Sequence, residues 1–294
     1  MGAEVVVVGA AGLDTCVYLP PGADLTSDVT FTSTLDGVGQ AGGYASQVYA
    51  ALGHRTAYLG ALGDDPPGRQ VREVLEARGI DTSACFPDAE GTARSVNLMS
   101  PDGRRHGCYD GRGNPGLTLD RDRAAAALRG ARLCHVNIPN WARDVLPLAR
   151  AAGCRIISDL QDVADPDDPY RLDFVTGSDV LAFSCARGLD PVAAMRAYWA
   201  RQPRLLQLAG LGAEGCAIGI DGHVERYPPP PSELPIVDTN GAGDTLAAVF
   251  ASGVLLDGRP TAEAADRAQR AARRTCSQRV PKLHFATRDE LDGG

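Results

Sequence analysis

The run Asp238-Thr239-Asn240-Gly241-Ala242-Gly243-Asp244 combines residues that can cradle an anion with a carboxylate placed to take a proton. Gly241 and Gly243 flank a single alanine, so consecutive backbone N–H groups are left unobstructed. The apolar run from Thr245 to Ala251 behind them reads as a buried helix, and Ile236-Val237 ahead of them reads as the end of a short buried strand. The seven residues are therefore expected to form a strand-to-helix turn, where the first helical N–H donors and the positive end of the helix dipole face an anion. A phosphoryl group in transfer spreads its charge over its oxygens, so preorganised donors matter more than a strong nucleophile. Asp244, at the end of the cradle, can accept the proton of an attacking hydroxyl. The plainer reading makes Asp244 a helix cap and the glycines turn-formers.

The elements that must position this turn alternate along the chain. Strands are expected at Glu4–Val8, Thr56–Leu59, Leu133–Val136, Arg155–Ser158, Val180–Phe183, Leu205–Leu208 and Gly215–Ile220. Helical patterns fall between them at about 43–53, 66–78, 120–129, 141–152, 190–201, 244–257 and 261–277. That alternation implies an α/β fold with a mostly parallel central sheet and helices on both faces. Val17–Leu19, Thr30–Leu35, Arg94–Met99 and Arg105–Tyr109 read as shorter alternating strands joined by turns such as Pro101-Asp102-Gly103. They are expected to form a small sheet over the carboxyl edge of the main one, with substrate bound between. The run Pro228 to Pro231 reads as a rigid connector, and the 294 residues as a single domain, with lid strands from about 15–36 and 92–112.

Composition narrows the partners. A hydrophobic content of 44%, a charged content of 22% and a net charge of −8 are those of a soluble globular protein and argue against nucleic acid. Of the 29 basic residues only Lys282 is lysine, so phosphate must be met by arginine, backbone N–H groups and metal. The eight cysteines are scattered, without zinc spacing or a Cys-x-x-Cys, and read as buried small hydrophobes in a reducing compartment. No stretch reaches the ~18 apolar residues of a membrane span, and the first residues do not read as a signal peptide. A cytoplasmic location is expected.

The string Asp-Thr-x-Gly-Ala-Gly-Asp closely resembles the C-terminal signature of the ribokinase-like (PfkB) family of carbohydrate and nucleoside kinases. The resemblance implies a three-layer α/β/α sandwich with a β-sheet lid, and ATP-dependent phosphorylation of a sugar or nucleoside hydroxyl with Mg2+. It makes Asp244 the catalytic base and Gly241, Ala242 and Gly243 the anion hole. Asp14, in Gly9-Ala-Ala-Gly-Leu-Asp14, resembles the family acid that binds substrate hydroxyls. Ala61-Leu-Gly-Asp-Asp65-Pro-Pro-Gly68 and Gly113-Asn114 match further family segments, and Asn114 is expected on the substrate side. On the nucleotide side stand Gly210, Gly212, Gly215, Asn240 and Ala272, with adenine expected near the end of the helix through Ala268 and Thr275. No residue is assigned to bind metal directly. Lid sheets with exposed edges often pair, so a homodimer through the lid is a further expectation.

Three segments depart from the family pattern. Its diglycine, three residues and Asn correspond here to Gly39-Gln40-Ala41-Gly42-Gly43-Tyr44. Counting back from Leu52-Gly53 without a gap puts Gln40 at the second glycine and Tyr44 at the Asn; pairing Gly42-Gly43 with the diglycine needs a shorter helix. Gly39, Gln40, Gly42, Gly43 and Tyr44 are all expected to face substrate, and Tyr44 either stacks on a sugar or base or packs within the lid. In place of Asn-x-x-Glu stands Phe183-Ser184-Cys185-Ala186-Arg187, and Gly210-Leu-Gly212 lacks the family threonine. Asp238 or Glu214, through water, is a candidate to compensate at Mg2+. The competing reading is a sensor that binds a sugar or nucleotide without turnover. A dinucleotide-binding dehydrogenase fits less well, because Gly9-Ala-Ala-Gly12 lacks the Gly-x-Gly-x-x-Gly spacing.

Overall fold

The computed structural model describes residues 2–185, 188–280 and 283–293. Ala186 and Arg187, from the segment set against Asn-x-x-Glu, and the lone Lys282 lie outside the described residues. Along the chain the strands are β1 (Val5–Val8), β2 (Gly12–Tyr18), β3 (Ser33–Gly39), β4 (Thr56–Leu59), β5 (Ala61–Leu62), β6 (Phe86–Pro87), β7 (Arg94–Met99), β8 (Arg105–Asp110), β9 (Leu133–Val136), β10 (Arg155–Val163), β11 (Val180–Cys185), β12 (Leu206–Gly210), β13 (Cys216–Ile220) and β14 (His223–Tyr227). The α-helices are α1 (Gln40–Ala51), α2 (Pro66–Ala77), α3 (Arg121–Leu128), α4 (Val145–Ala151), α5 (Leu172–Gly177), α6 (Pro191–Trp199), α7 (Ala242–Ala251), α8 (Thr261–Cys276) and α9 (Arg288–Asp292).

The eight-stranded sheet has the order β14-β13-β12-β11-β10-β9-β1-β4, parallel from β12 to β4 and antiparallel at the β13 and β14 edge. Strand periodicity explains its two cores. Val6 and Val8 face a core shared with α3, α4, α5 and α6, and Val5 and Val7 face one shared with α1, α7 and α8. All four valines are completely buried, which is why β1 reads as an unbroken apolar run. Burying each contributes about 1.5–3 kcal/mol.

The second sheet has the order β3-β2-β7-β8. Its registers align residues across strands: Asp14 pairs with Ser95 and Ser95 with Tyr109, Cys16 with Asn97 and Asn97 with Gly107, Tyr18 with Met99 and Met99 with Arg105. Side chains in register share a face, so these three rows stand side by side on one surface of the small sheet.

Two expectations about elements are corrected. Ile236-Val237 is not a strand: Val237 and Asp238 donate to Cys276 O at 2.8 and 3.1 Å, at the end of α8, and Ile236 is exposed. The run Pro228 to Pro231 explains this, since it lacks N–H donors and cannot continue a ladder beyond β14. Strand β2 begins at Gly12, five residues ahead of the expected Val17, which places Asp14 within the small sheet. Of the cysteines, all free, Cys108 is exposed and Cys185 and Cys276 are half-buried; the other five are buried. Among the described residues, no helix is long and apolar enough to cross a membrane.

Candidate active site

The carboxyl ends of β1, β9, β10 and β11 open into a cleft of about 950 Å³, roofed by the small sheet. Among the residues lining it are Asp14, Gln40, Tyr44, Asn137, Asp159 and Asp244. Ligand sites at this end of an open α/β sheet are the rule, because the strand-to-helix loops converge there.

The turn ahead of α7 is built from within. Asp238, 1% exposed, accepts from Asn240 N at 2.8 Å and Asn240 Nδ2 at 2.7 Å, closing a local loop. Gly241 follows at φ 75°, and a Cβ there would stand 2.9 Å from the Tyr44 ring. Only glycine satisfies both demands. Gly243 is open, with nothing within 4 Å of a built Cβ. Ala242, Gly243 and Asp244 occupy the first turn of α7; Ala242 N donates back to Thr239 O at 3.3 Å, and the N–H groups of Gly243 and Asp244 are the free donors of the helix start. The cradle therefore has an open face and a fixed base.

Asp244 enters the cleft with Oδ1 buried and without a hydrogen-bond partner. Burial pushes its carboxyl above the usual range, against the pull of the Gln161 amide and the Arg105 guanidinium. Asp159, 5% exposed, is raised further, by burial and then by the charge of Asp244. Two buried carboxylates that repel one another do not both ionise easily, so the pair titrates above the usual carboxylate range.

Asp14 Oδ2 accepts from Tyr44 Oη at 2.8 Å and from Gln40 N at 3.3 Å, while Oδ1 is buried and unpartnered. Gln40 has both amide atoms buried and unpartnered, and so does Asn137. An unmet buried polar atom costs about 1–3 kcal/mol, and three side chains carrying such atoms into one cleft point to a hydroxyl-rich ligand.

The ambiguous segment resolves in part. Gln40 has φ 63°, a conformation glycine favours, which agrees with the ungapped count that sets it at the second family glycine. Gly39 must lack a Cβ, which would fall 2.1 Å from Asp14 Oδ2. Gly42 and Gly43 do not line the cleft: they are buried, and added Cβ atoms would meet Ala10 O at 2.8 Å and the Ala11 Cβ at 3.3 Å, so they let α1 pack on the segment after β1. Tyr44 offers no stacking face, being 2% exposed with its ring against Gly241. Asn114 lines the cleft, but its amide is committed to Trp141 Nε1 at 3.1 Å and Gly111 O at 2.8 Å.

On the nucleotide side, Gly212 is open at φ 60° and Gly210 lies beside Ser184 Oγ. Gly215, at φ 93°, is structural: a Cβ would strike Tyr227 O and the Gln269 side chain of α8. Ala272 sits on α8 one turn beyond Gln269, half-buried. Asn240 turns the other way, toward the small sheet, donating to Met99 Sδ and accepting from Arg105 at 2.9 Å, so its side chain is not free for nucleotide. Asp238 is likewise engaged, accepting from Tyr18 Oη at 2.6 Å, and Glu214 pairs with Arg226 at 3.6 Å on the surface. Neither lines the cleft; besides Asp14 and Asp244, the acids that do are Asp159 and Asp162.

Sequence reasoning missed Asp159, Gln161, Asp162 and Asn137. The first three lie where β10 breaks register with β11 between Asp159 and Asp162, with Gln161 at φ 59°. The signal available was the polar Asp-x-Gln-Asp ending an apolar strand. Asn137 directly follows β9 and carries no local mark.

A model of the pfkB family of carbohydrate kinases matches residues 208–283. The acarbose 7(IV)-phosphotransferase of Actinoplanes sp. is 32% identical over 265 residues, 86% of this chain and 85% of that protein. The chain belongs to the pfkB family of carbohydrate kinases. A fructokinase of Klebsiella pneumoniae is 28% identical over 257 residues, 77% of this pfkB-family chain and 80% of that protein. Among solved structures, the microbiome-derived acarbose kinase Mak1 superposes with a TM-score of 0.90 at 29% identity, covering 100% of this chain and 99% of that one. The Arabidopsis thaliana ribokinase complexed with ribose and ATP has a TM-score of 0.80 at 22% identity, covering 100% and 98%, and shares the fold. This pfkB-family chain is thus a sugar kinase with a ribokinase-like α/β fold.

Proposed function

We propose that the protein transfers the γ-phosphoryl group of ATP to a hydroxyl of a sugar held by Asp14. Asp244 acts as general base, and the N–H groups of Gly241, Ala242 and Gly243 form the anion hole. The observation that carries this reading is the unpartnered Asp244 Oδ1, buried in the same cleft as the unpartnered Asp14 Oδ1 and adjoining the open helix start at Gly243.

Each residue's part follows from its surroundings. Asp14 Oδ1, with Gln40 and Asn137, accepts and donates to sugar hydroxyls and sets which one faces Asp244. Asp244, in its ionised form, takes the hydroxyl proton as the oxygen attacks. The first turn of α7 receives the charge of the phosphoryl oxygens without reorganising, because Gly241 is pinned by Tyr44. Arg105, drawn in from β8 by Asn240, supports the ionised form of Asp244.

Mg2+ belongs to this reading through the nucleotide. Among the described residues no group of three or more acidic, histidine or cysteine side chains is placed to hold a metal alone. The cleft nonetheless offers an oxygen-only donor set in Asp159 and Asp162, which suits an ion that keeps several waters and leans on phosphates. Those two residues would hold it, and when bound it would neutralise phosphate charge. ATP would lie toward Gly212 and α8. The exposed edges of the small sheet, β3 and β8, support a homodimer through that sheet.

ADP release from ATP and Mg2+ across a panel of ribose, fructose, glucose and acarbose tests the proposal. Sugar-dependent release is expected. Sugar binding with no release from any acceptor would favour the non-catalytic sensor.

A further inference from the structure

The cleft is larger than one sugar needs. Its volume of about 950 Å³ stands at the top of the range of about 300–1,000 Å³ for small-molecule sites, and from Asp14 it extends both to the phosphoryl end at Gly243 and Asp162 and outward to Tyr109 and Tyr170. The excess has a distinct lining. Across the small sheet, Asp14, Ser95 and Tyr109 stand in one row on adjacent strands. Two inter-strand steps of ~4.8 Å put Tyr109 about 10 Å from Asp14 along that face. The distance outruns one ring bound at Asp14 and reaches a second ring joined to it.

Strand β8 alternates Arg105, Gly107 and Tyr109 on this face. Gly107 has no side chain, so between the Arg105 latch and the Tyr109 ring the floor is its backbone with the Asn97 amide beside it, whose Oδ1 would stand 3.1 Å from a Cβ at Gly107. Tyr109 is 59% exposed, and its ring folds over Gly111, where a Cβ would stand 2.9 Å from it. On the opposite wall Tyr170, 38% exposed, donates to Ile138 O at 2.5 Å, and the Arg143 guanidinium lies 4.9 Å from its ring centre. That bond ties Tyr170 to the residue beside Asn137, so the aromatic wall continues from the unpartnered amide. Both rings line the cleft. Held aromatic rings at the mouth of a polar cleft suit a ligand with apolar C–H faces and hydroxyl edges, and their low entropy cost favours binding.

We propose that the cleft carries a second sugar subsite, floored by Gly107 and flanked by Tyr109 and Tyr170, so that the acceptor is an oligosaccharide rather than a monosaccharide. The proposal rests on the sugar-kinase reading and names its substrate class. The ring to be phosphorylated sits at Asp14 and Asp244, and the next ring packs on the aromatic pair.

The test titrates acarbose, glucose and adenosine calorimetrically into the wild type, Tyr109→Ala and Tyr109→Phe, beside acceptor KM values with ATP and Mg2+. The wild type is expected to bind acarbose at least tenfold more tightly than glucose. Tyr109→Ala shrinks that ratio at least tenfold and Tyr109→Phe preserves it, which separates lost stacking from misfolding. Equal affinity for acarbose and glucose, a ratio untouched by Tyr109→Ala, or adenosine bound more tightly than acarbose would overturn the subsite. Tyr109-dependent acarbose binding with no turnover of any sugar would count against the kinase reading and leave the subsite standing. Turnover of monosaccharides with no oligosaccharide preference would do the reverse.

Discussion

Tyr44 joins the two sides of the site: its hydroxyl donates to Asp14 Oδ2 at 2.8 Å while its ring lies beneath Gly241 at the start of the anion cradle. Tyr44→Phe keeps the ring and removes the bond, leaving Asp14 less firmly oriented. A hydrogen bond to a charged group contributes about 1.5–3 kcal/mol. The sugar kcat/KM is expected to fall at least tenfold, with the ATP KM within about threefold of wild type, as steady-state kinetics against each substrate will show.

The two glycines of the cradle should behave differently. Gly241→Ala meets both the φ of 75° and the Tyr44 ring, so it destabilises the fold by about 1–3 kcal/mol and abolishes turnover. Gly243→Ala meets nothing within 4 Å. It should leave the melting temperature close to wild type, yet cut kcat by crowding the phosphoryl group. Thermal denaturation beside kcat separates the two effects.

The pH profile should report Asp244. A base acts only when ionised, so activity rises as pH climbs through its pKa, which burial holds above the usual carboxylate range. Gln161→Gly removes the amide that favours the ionised form, without strain, because glycine accepts φ 59°. The acidic limb of kcat/KM then moves to higher pH. Arg105→Gln should move it the same way by removing a favourable charge. A limb that moved down in either variant would contradict the assignment.

The small sheet is latched to the turn by Tyr18 on Asp238 and Arg105 on Asn240, with Arg279 stacked 4.4 Å from the Tyr18 ring centre. Asn240→Ala removes the acceptor of Arg105 and one donor to Asp238. Hydrogen exchange of residues 94–110 should accelerate and kcat fall about tenfold, with α4 and α5 exchanging as in the wild type.

How much was legible followed from how local each feature is. Strand β1 could be read because four β-branched residues buried on both faces leave an apolar run, and the turn into α7 because Gly241 answers to a backbone demand within seven residues. The strand expected at Ile236-Val237 failed because the partner of Val237 is the end of α8, nearly forty residues away in sequence. Tyr44 was identified as a site residue, but its orientation depends on Asp14 and Gly241, which approach it only in the fold. The register break at Asp159 to Asp162 depends on β11 beside it, so the polar Asp-x-Gln-Asp marks the end of the strand but not the interaction of Asp159 with Asp244.

On the proposed mechanism Asp244 is the base for phosphoryl transfer to a sugar. The most direct measurement is single-turnover phosphorylation of acceptor by Asp244→Asn against wild type, with sugar affinity measured in parallel. The rate is expected to fall by about 10²–10⁴-fold with sugar affinity within about threefold of wild type. A rate within about threefold of wild type, with the protein folded, would contradict it.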